Sequence, residues 1–311
     1  MRRRRLGRSG LDVSEISLGT VELGMDYGIA APGYARPTPA EAEALLHGAL
    51  DLGVNLIDTA RLYGESEVII GRALSTRRSE YVLVTKTPTF HEQQLDYAAL
   101  RRRMRESVEE SLHALRCDVI DVLLLHSAPL AVLQNPMFAD ILDELRERGK
   151  IRFTGASVYG EAAALAAIAS RRYDCLQIAY SALDRRPEER TLAAARDAGV
   201  GIVARSVLLK GALTRRVGAL PEALAELKSR VATLAALDDR GLDGLPELAY
   251  RYVLASDPPH SALVGASSLD ELEQALAFAA AGPLPAAQLQ RIRALPMPGD
   301  AELDPSSWPA L

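Results

Sequence analysis

The feature that most constrains this chain is a repeat of pattern: eight times, a short apolar run leads into a turn and then an amphipathic helical stretch. The predicted strands are residues Glu15 to Thr20, Leu56 to Ala60, Tyr81 to Lys86, Val119 to His126, Ile151 to Ser157, Cys175 to Tyr180, Gly201 to Ser206 and Ser261 to Ala266. Runs that stay apolar without alternation are buried on both faces, and parallel neighbours need crossover helices between them. Eight such pairs within about 250 residues predict a closed (β/α)8 barrel. An open, doubly wound sheet is the runner-up, but it usually carries a glycine-rich nucleotide turn, and neither G-x-G-x-x-G nor a P-loop occurs.

The helices have local causes. Thr38-Pro39-Ala40-Glu41 reads as an N-cap, a proline at the first helical position and a glutamate that closes a capping box. Leu45, Leu46, Ala49 and Leu50 then form one stripe, which Gly53 ends. Further helices are expected near Ser66 to Leu74, Leu100 to Leu115, Phe138 to Arg148, Ala162 to Ala169, Glu188 to Ala198, Leu224 to Ala255 with a break at Gly241 to Pro246, and Leu269 to Ala280. Gly7-Arg8-Ser9-Gly10 makes a hairpin of residues 1 to 14, residues 22 to 37 read as an insert, and residues 283 to 311 form a Pro-rich tail. No low-complexity linker divides the chain, so residues 1 to 311 are read as one domain.

Composition excludes several classes. Apolar residues at 48% and charged residues at 25% are those of a globular protein. With 36 Lys and Arg against 41 Asp and Glu, the net charge of −5 offers no field for nucleic acid or an anionic membrane. Arg2 to Arg5 resemble the start of an export signal, yet no apolar stretch or cleavage site follows, and no run approaches the roughly 18 apolar residues of a membrane span. Cys117 and Cys175 open apolar runs and read as core thiols in a reducing cytoplasm.

Active-site groups of such barrels sit where strands end. The second predicted strand ends in Asp58, Thr59 and Ala60 and leads to Tyr63, the third ends in Lys86, and the fourth in His126. Alone, each has a plain reading: a tyrosine in a wall, a lysine at a solvated end, a histidine satisfied in the core. Gathered at one mouth, they acquire chemistry. An ammonium beside a phenol favours phenolate and is expected to lower the Tyr63 pKa, while a carboxylate keeps that ammonium charged and placed. A neutral histidine can hydrogen-bond a carbonyl oxygen as charge develops on it. His47, His91, His113 and His260 lack such company, the pair Glu109-Glu110 lies on a solvated face, and no zinc-binding spacing occurs, so no metal is expected.

These residues make the chain resemble an aldo-keto reductase. The matching segments are Gly53 to Ala60, Tyr63-Gly64 with Glu67 and Gly71, Val84-Thr85-Lys86, Asp118 to His126, Gly149 to Arg152 leading to Gly155 and Ser157, and Gln177, in family order across nearly the whole chain. The resemblance implies a (β/α)8 barrel that moves hydride between a nicotinamide cofactor and a carbonyl or alcohol. It makes Tyr63 the general acid, with Lys86 lowering its pKa, Asp58 pairing with Lys86, and His126 orienting the carbonyl. Ser157 and Gln177 would bind the carboxamide, Gly19 and Thr20 would lie near the nicotinamide and its ribose with Asp58 beside them, and Ser206, Leu208 and Gly211 would line the pyrophosphate. The segment Gly265 to Gln274, with Ser267 and Glu271, would hold the adenosine end.

Two departures stand out. Where many relatives stack an aromatic ring on the nicotinamide, this chain has Arg205, expected either to lie on the cofactor and favour its reduced form or to contact pyrophosphate or a nearby acid. Where NADPH-selective relatives offer Lys or Arg to the 2′-phosphate, this chain has Ser267, Ser268, Asp270 and Glu271. Hydroxyls and helix amides can still accept a phosphate, so NADP(H) is favoured, with NAD(H) left open.

Two other functions stay open at this stage. Lys86 at a strand end is also where a class I aldolase forms a Schiff base, and the barrel could serve as a non-catalytic nicotinamide-binding redox sensor or channel-associated subunit. The substrate, a small carbonyl or alcohol and among the candidates a sugar, would meet Tyr63, His126 and Tyr27. Its identity rests with loops at Leu23 to Pro37, which holds Tyr27 and Tyr34, at His91 to Tyr97, at Ala128 to Met137, and with the tail at Trp308. Oligomeric state is not readable.

Overall fold

The computed structural model describes residues 1–30, 35–90, 96–305 and 307–309; Tyr34 and His91 lie outside them. The strands are β1 (Arg3–Arg5), β2 (Asp12–Ser14), β3 (Ile16–Gly19), β4 (Leu56–Asp58), β5 (Val82–Thr89), β6 (Ile120–His126), β7 (Ile151–Val158), β8 (Cys175–Ala179), β9 (Gly201–Arg205) and β10 (Ser261–Gly265). β1 and β2 form an antiparallel hairpin, and β3 to β10 close a barrel in chain order, with β10 returning to β3. Every barrel pair is parallel. This is the (β/α)8 barrel that the alternation predicts, and all eight predicted strands are present.

The helices are α1 (Val21–Gly24), α2 (Pro39–Asp51), α3 (Ser66–Leu74), α4 (Tyr97–Leu115), α5 (Leu130–Gln134), α6 (Pro136–Glu147), α7 (Glu161–Ser170), α8 (Thr191–Asp197), α9 (Ala225–Ala235), α10 (Leu245–Leu254), α11 (Leu269–Ala280), α12 (Ala286–Ala294) and α13 (Asp300–Leu303). The capping box of α2 is formed: the Thr38 hydroxyl accepts from the Glu41 amide at 3.3 Å, and the Glu41 carboxylate accepts from the Thr38 amide at 2.8 Å. None of the described helices is long and apolar enough to cross a membrane.

Two apolar layers hold the barrel. Leu45, Leu46, Ile70, Leu142 and Leu248 pack helices onto the outer wall. Inside, Leu56, Val84, Val122, Leu124, Cys175 and Val203 meet Leu6, Leu11 and Val13 from the hairpin. Leu6 is fully buried, and such a side chain contributes roughly 1.5–3 kcal/mol by leaving water. The Arg8 amide donates to the Gly199 carbonyl at 2.6 Å, and the Arg4 guanidinium donates to the carbonyls of Leu254, Ser256 and Pro259. The hairpin therefore stoppers the end where the barrel strands begin, leaving their C-terminal ends to form the site.

Candidate active site

Strand register decides which polar residues meet. Gly19 pairs with Asp58, Ser157 with Gln177, and Ala179 with Arg205. Between β5 and β6 the register slips after Lys86, so that Thr89 pairs with His126.

Lys86 is sealed from solvent, and its ammonium meets three acceptors, the number of protons it carries. It donates to Asp58 Oδ2 at 2.7 Å, to the Thr59 carbonyl at 2.9 Å and to the Tyr63 hydroxyl at 3.3 Å. Asp58 is held in turn: its Oδ1 accepts from Gln177 Nε2 at 2.8 Å, and its carbonyl accepts from the Thr20 amide at 3.0 Å and the Thr20 hydroxyl at 2.8 Å. Burial lowers the Lys86 pKa, and the Asp58 carboxylate opposes that. An ion pair this buried is costly unless its lone pairs and protons are all placed, as they are here.

Tyr63 sits in the turn after β4, and its ring meets His126 edge to face at 5.7 Å. Burial drops the His126 pKa to about 3, helped by the charges of Lys86 and Arg205, so the imidazole is neutral at ordinary pH. Its buried Nδ1 has no partner among the described residues. The phenol corrects an expectation. Burial, then the Asp58 charge, raises the Tyr63 pKa above its ordinary value, with Arg205 pulling the other way. Asp58 already compensates Lys86, so the ammonium does not outweigh desolvation, and Tyr63 is held protonated.

One cleft of about 620 Å³, within the range of small-molecule sites, gathers most of the residues singled out from sequence. Its walls include Tyr27, Asp58, Tyr63 and His126, and also Gly19, Thr20, Ser157 and Gln177. Arg205, Ser206, Leu208 and Gly211 follow on the β9 side, and Gly265, Glu271 and Gln274 on β10 and α11. Lys86 lies behind this wall. Ser267 is the exception among the cofactor residues: it does not line the cleft, and its amide and hydroxyl both donate to Glu271 Oε2, at 2.8 and 3.0 Å.

Arg205 has a partner the sequence did not suggest. Its guanidinium stacks on the Tyr159 ring at 3.9 Å and donates to the Val158 carbonyl and the Ser206 hydroxyl, and among the described residues the expected contact with a nearby acid is not made. Trp308 also departs from expectation. It is buried in the core, its indole donating to the Glu302 carbonyl, and neither it nor residues 128 to 137 line the cleft. Tyr97 instead bonds Glu144. Sequence reasoning missed Glu22, Tyr159, Lys210, Arg215, Arg216 and Tyr250, all on the cleft wall. Glu22, Lys210, Arg215, Arg216 and Tyr250 close no strand, because they come from loops and helices folded over the mouth, whereas Tyr159 directly follows β7.

Known proteins place this architecture. The aldo/keto reductase family model matches residues 15–296. An aldo-keto reductase of Bacillus halodurans, solved in holo form, superposes with a TM-score of 0.77 at 31% identity, covering 95% of this chain and 96% of that one. L-galactose dehydrogenase of Arabidopsis thaliana is 32% identical over 88% of this chain and 86% of its own length. The uncharacterized oxidoreductase YqkF of Bacillus subtilis is 28% identical over 88% and 90%. With the motifs, the barrel and these relatives in agreement, the chain belongs to the aldo/keto reductase family of oxidoreductases.

Proposed function

We propose that this chain moves hydride between a nicotinamide dinucleotide and a small carbonyl or alcohol beside Tyr63. One line of contacts carries the reading: Asp58 to Lys86 at 2.7 Å and Lys86 to the Tyr63 hydroxyl at 3.3 Å, under a cleft that also presents His126. The cleft residues fit the cofactor. Ser157 and Gln177 pair across adjacent strands as a polar patch for a carboxamide, and Lys210, Arg215 and Arg216 supply cations for a pyrophosphate. The nicotinamide supplies or takes the hydride when bound.

The chain's own groups handle the proton. Tyr63, protonated through burial, gives its proton to the carbonyl oxygen in reduction and takes one back in oxidation. As the proton leaves, negative charge grows on an oxygen 3.3 Å from the Lys86 ammonium, which stabilises it. Asp58 keeps Lys86 charged and aimed. Neutral His126 donates to the carbonyl oxygen and adds no competing acid.

Two observations speak against the other functions. Lys86 spends all three protons on internal acceptors and lies behind the cleft wall, so a Schiff base would have to break the pair with Asp58. A purely regulatory barrel leaves the ordered Asp58, Lys86, Tyr63 and His126 arrangement without a use. Tyr27, partly exposed at the cleft, offers a face to a sugar or an aromatic carbonyl, and one relative is named for a sugar, so sugars belong in the substrate screen with aldehydes and ketones. Two free cysteines, Cys117 and Cys175, suit a cytoplasmic setting.

The test is Tyr63→Phe assayed on a nitrobenzaldehyde. Turnover is expected to fall by a factor on the order of 10²–10⁴, as for loss of a general acid, while cofactor binding by fluorescence persists. Full turnover in the variant, or substrate trapped on Lys86 by borohydride, would remove this reading.

A further inference from the structure

Helix α11 opens beneath Ser267 and Ser268, in the segment that the family resemblance gives to the adenosine end of the cofactor. Free amides and hydroxyls at a helix N-terminus make a seat for an anion, above all a phosphate. In this chain the seat is already taken. Glu271 folds back so that its Oε2 accepts from the Ser267 amide at 2.8 Å and the Ser267 hydroxyl at 3.0 Å, while its own amide donates to the Ser268 hydroxyl at 3.3 Å. Its other oxygen lies 3.4 Å from Arg216. The two Ser267 donors at this corner are therefore bound to a carboxylate that belongs to the protein.

A second observation points the same way. Glu22 is nine-tenths buried in the same cleft, its carboxylate against Gly265, where a Cβ would run into it. Its Oε2 has no partner among the described residues. An unpartnered buried acceptor in a cofactor cleft is suited to a hydroxyl donor and repels a phosphate.

We infer that Glu271 makes this chain selective for NAD(H) over NADP(H), by occupying the donors a 2′-phosphate would need and placing negative charge where that phosphate would come. NADP(H) could seat only after Glu271 gave up Ser267 and Arg216, and the displaced carboxylate would then face a dianion. NAD(H) presents a hydroxyl instead, which donates to a carboxylate at no such cost. The inference rests on the proposal that the cleft binds a nicotinamide dinucleotide. It reverses the preference drawn from sequence, which took the hydroxyls and amides near Ser267 as available.

The experiment reads binding, without turnover. The full chain and its Glu271→Gln variant are titrated with NADH and with NADPH, followed by the emission of the reduced nicotinamide, and a melting curve checks that the variant is folded. The wild type is expected to bind NADH at least about tenfold tighter than NADPH, and Glu271→Gln to move that ratio toward NADPH by about tenfold, the size of one charge-assisted contact. Equal or tighter binding of NADPH by the wild type, or an unchanged ratio in Glu271→Gln, overturns the inference and leaves the proposed function standing. Binding of neither dinucleotide overturns both.

Discussion

A lysine sealed from water keeps its charge only where every proton finds an acceptor, and Lys86 meets that demand with Asp58, Thr59 and Tyr63. The same burial that isolates Lys86 holds Tyr63 protonated and His126 neutral, the states that the roles proposed for them, proton donor and carbonyl-orienting group, require. Glu22 is buried with one carboxylate oxygen unpartnered among the described residues, and its pKa is raised to about 7, first by desolvation. Unfolded, it titrates near 4.5. Between those values the folded chain keeps a proton that the unfolded chain has lost, so this group's stabilisation is full below pH 4.5, fades as pH rises to 7, and is absent above. Glu22→Gln is therefore expected to raise stability at pH 8 by roughly 2 kcal/mol and to flatten the dependence of Tm on pH across that window, measured by thermal melts in matched buffers. Asp58, Lys86 and His126 were legible in the sequence because each closes an apolar run. Glu22 and the Tyr159 platform under Arg205 were not, since nothing local says which loop residues the closed barrel will turn inward.

The strands and long helices follow from patterns that local sequence carries: continuous apolar runs, the capping box at Thr38 and Glu41, the glycine after α2. The short helices α1 and α5 do not. Four or five residues hold too little periodicity to announce a helix. Yet α1 positions the site. Its last residue, Gly24, crosses the turn that carries Tyr63 so closely that a methyl on Gly24 would strike the Tyr63 carbonyl, and one on Gly64 would strike the Gly24 carbonyl. Gly64 also has φ +54°, which suits glycine. Gly64→Ala is expected to push the two segments apart and shift the phenol, lowering kcat about 10²-fold while the far-ultraviolet circular dichroism stays that of the barrel. Unchanged kcat in a folded Gly64→Ala protein would show that this crossing does not position Tyr63.

At the scale of the molecule, the count of strand–helix pairs was enough to name the barrel, because a closed parallel sheet leaves few other ways to bury eight two-faced strands. What the count could not supply was how the hairpin is used. It is a stopper, with Leu6 inside the barrel among Leu56, Val84, Leu124 and Val203, and Arg4 tying it to the carbonyls before β10. Leu6→Ala is expected to cost about 2–5 kcal/mol in urea unfolding, as for other fully buried leucines. The same stopper governs traffic. Because that end is filled, whatever meets Asp58 and Tyr63 has to come and go through the mouth where the strands end.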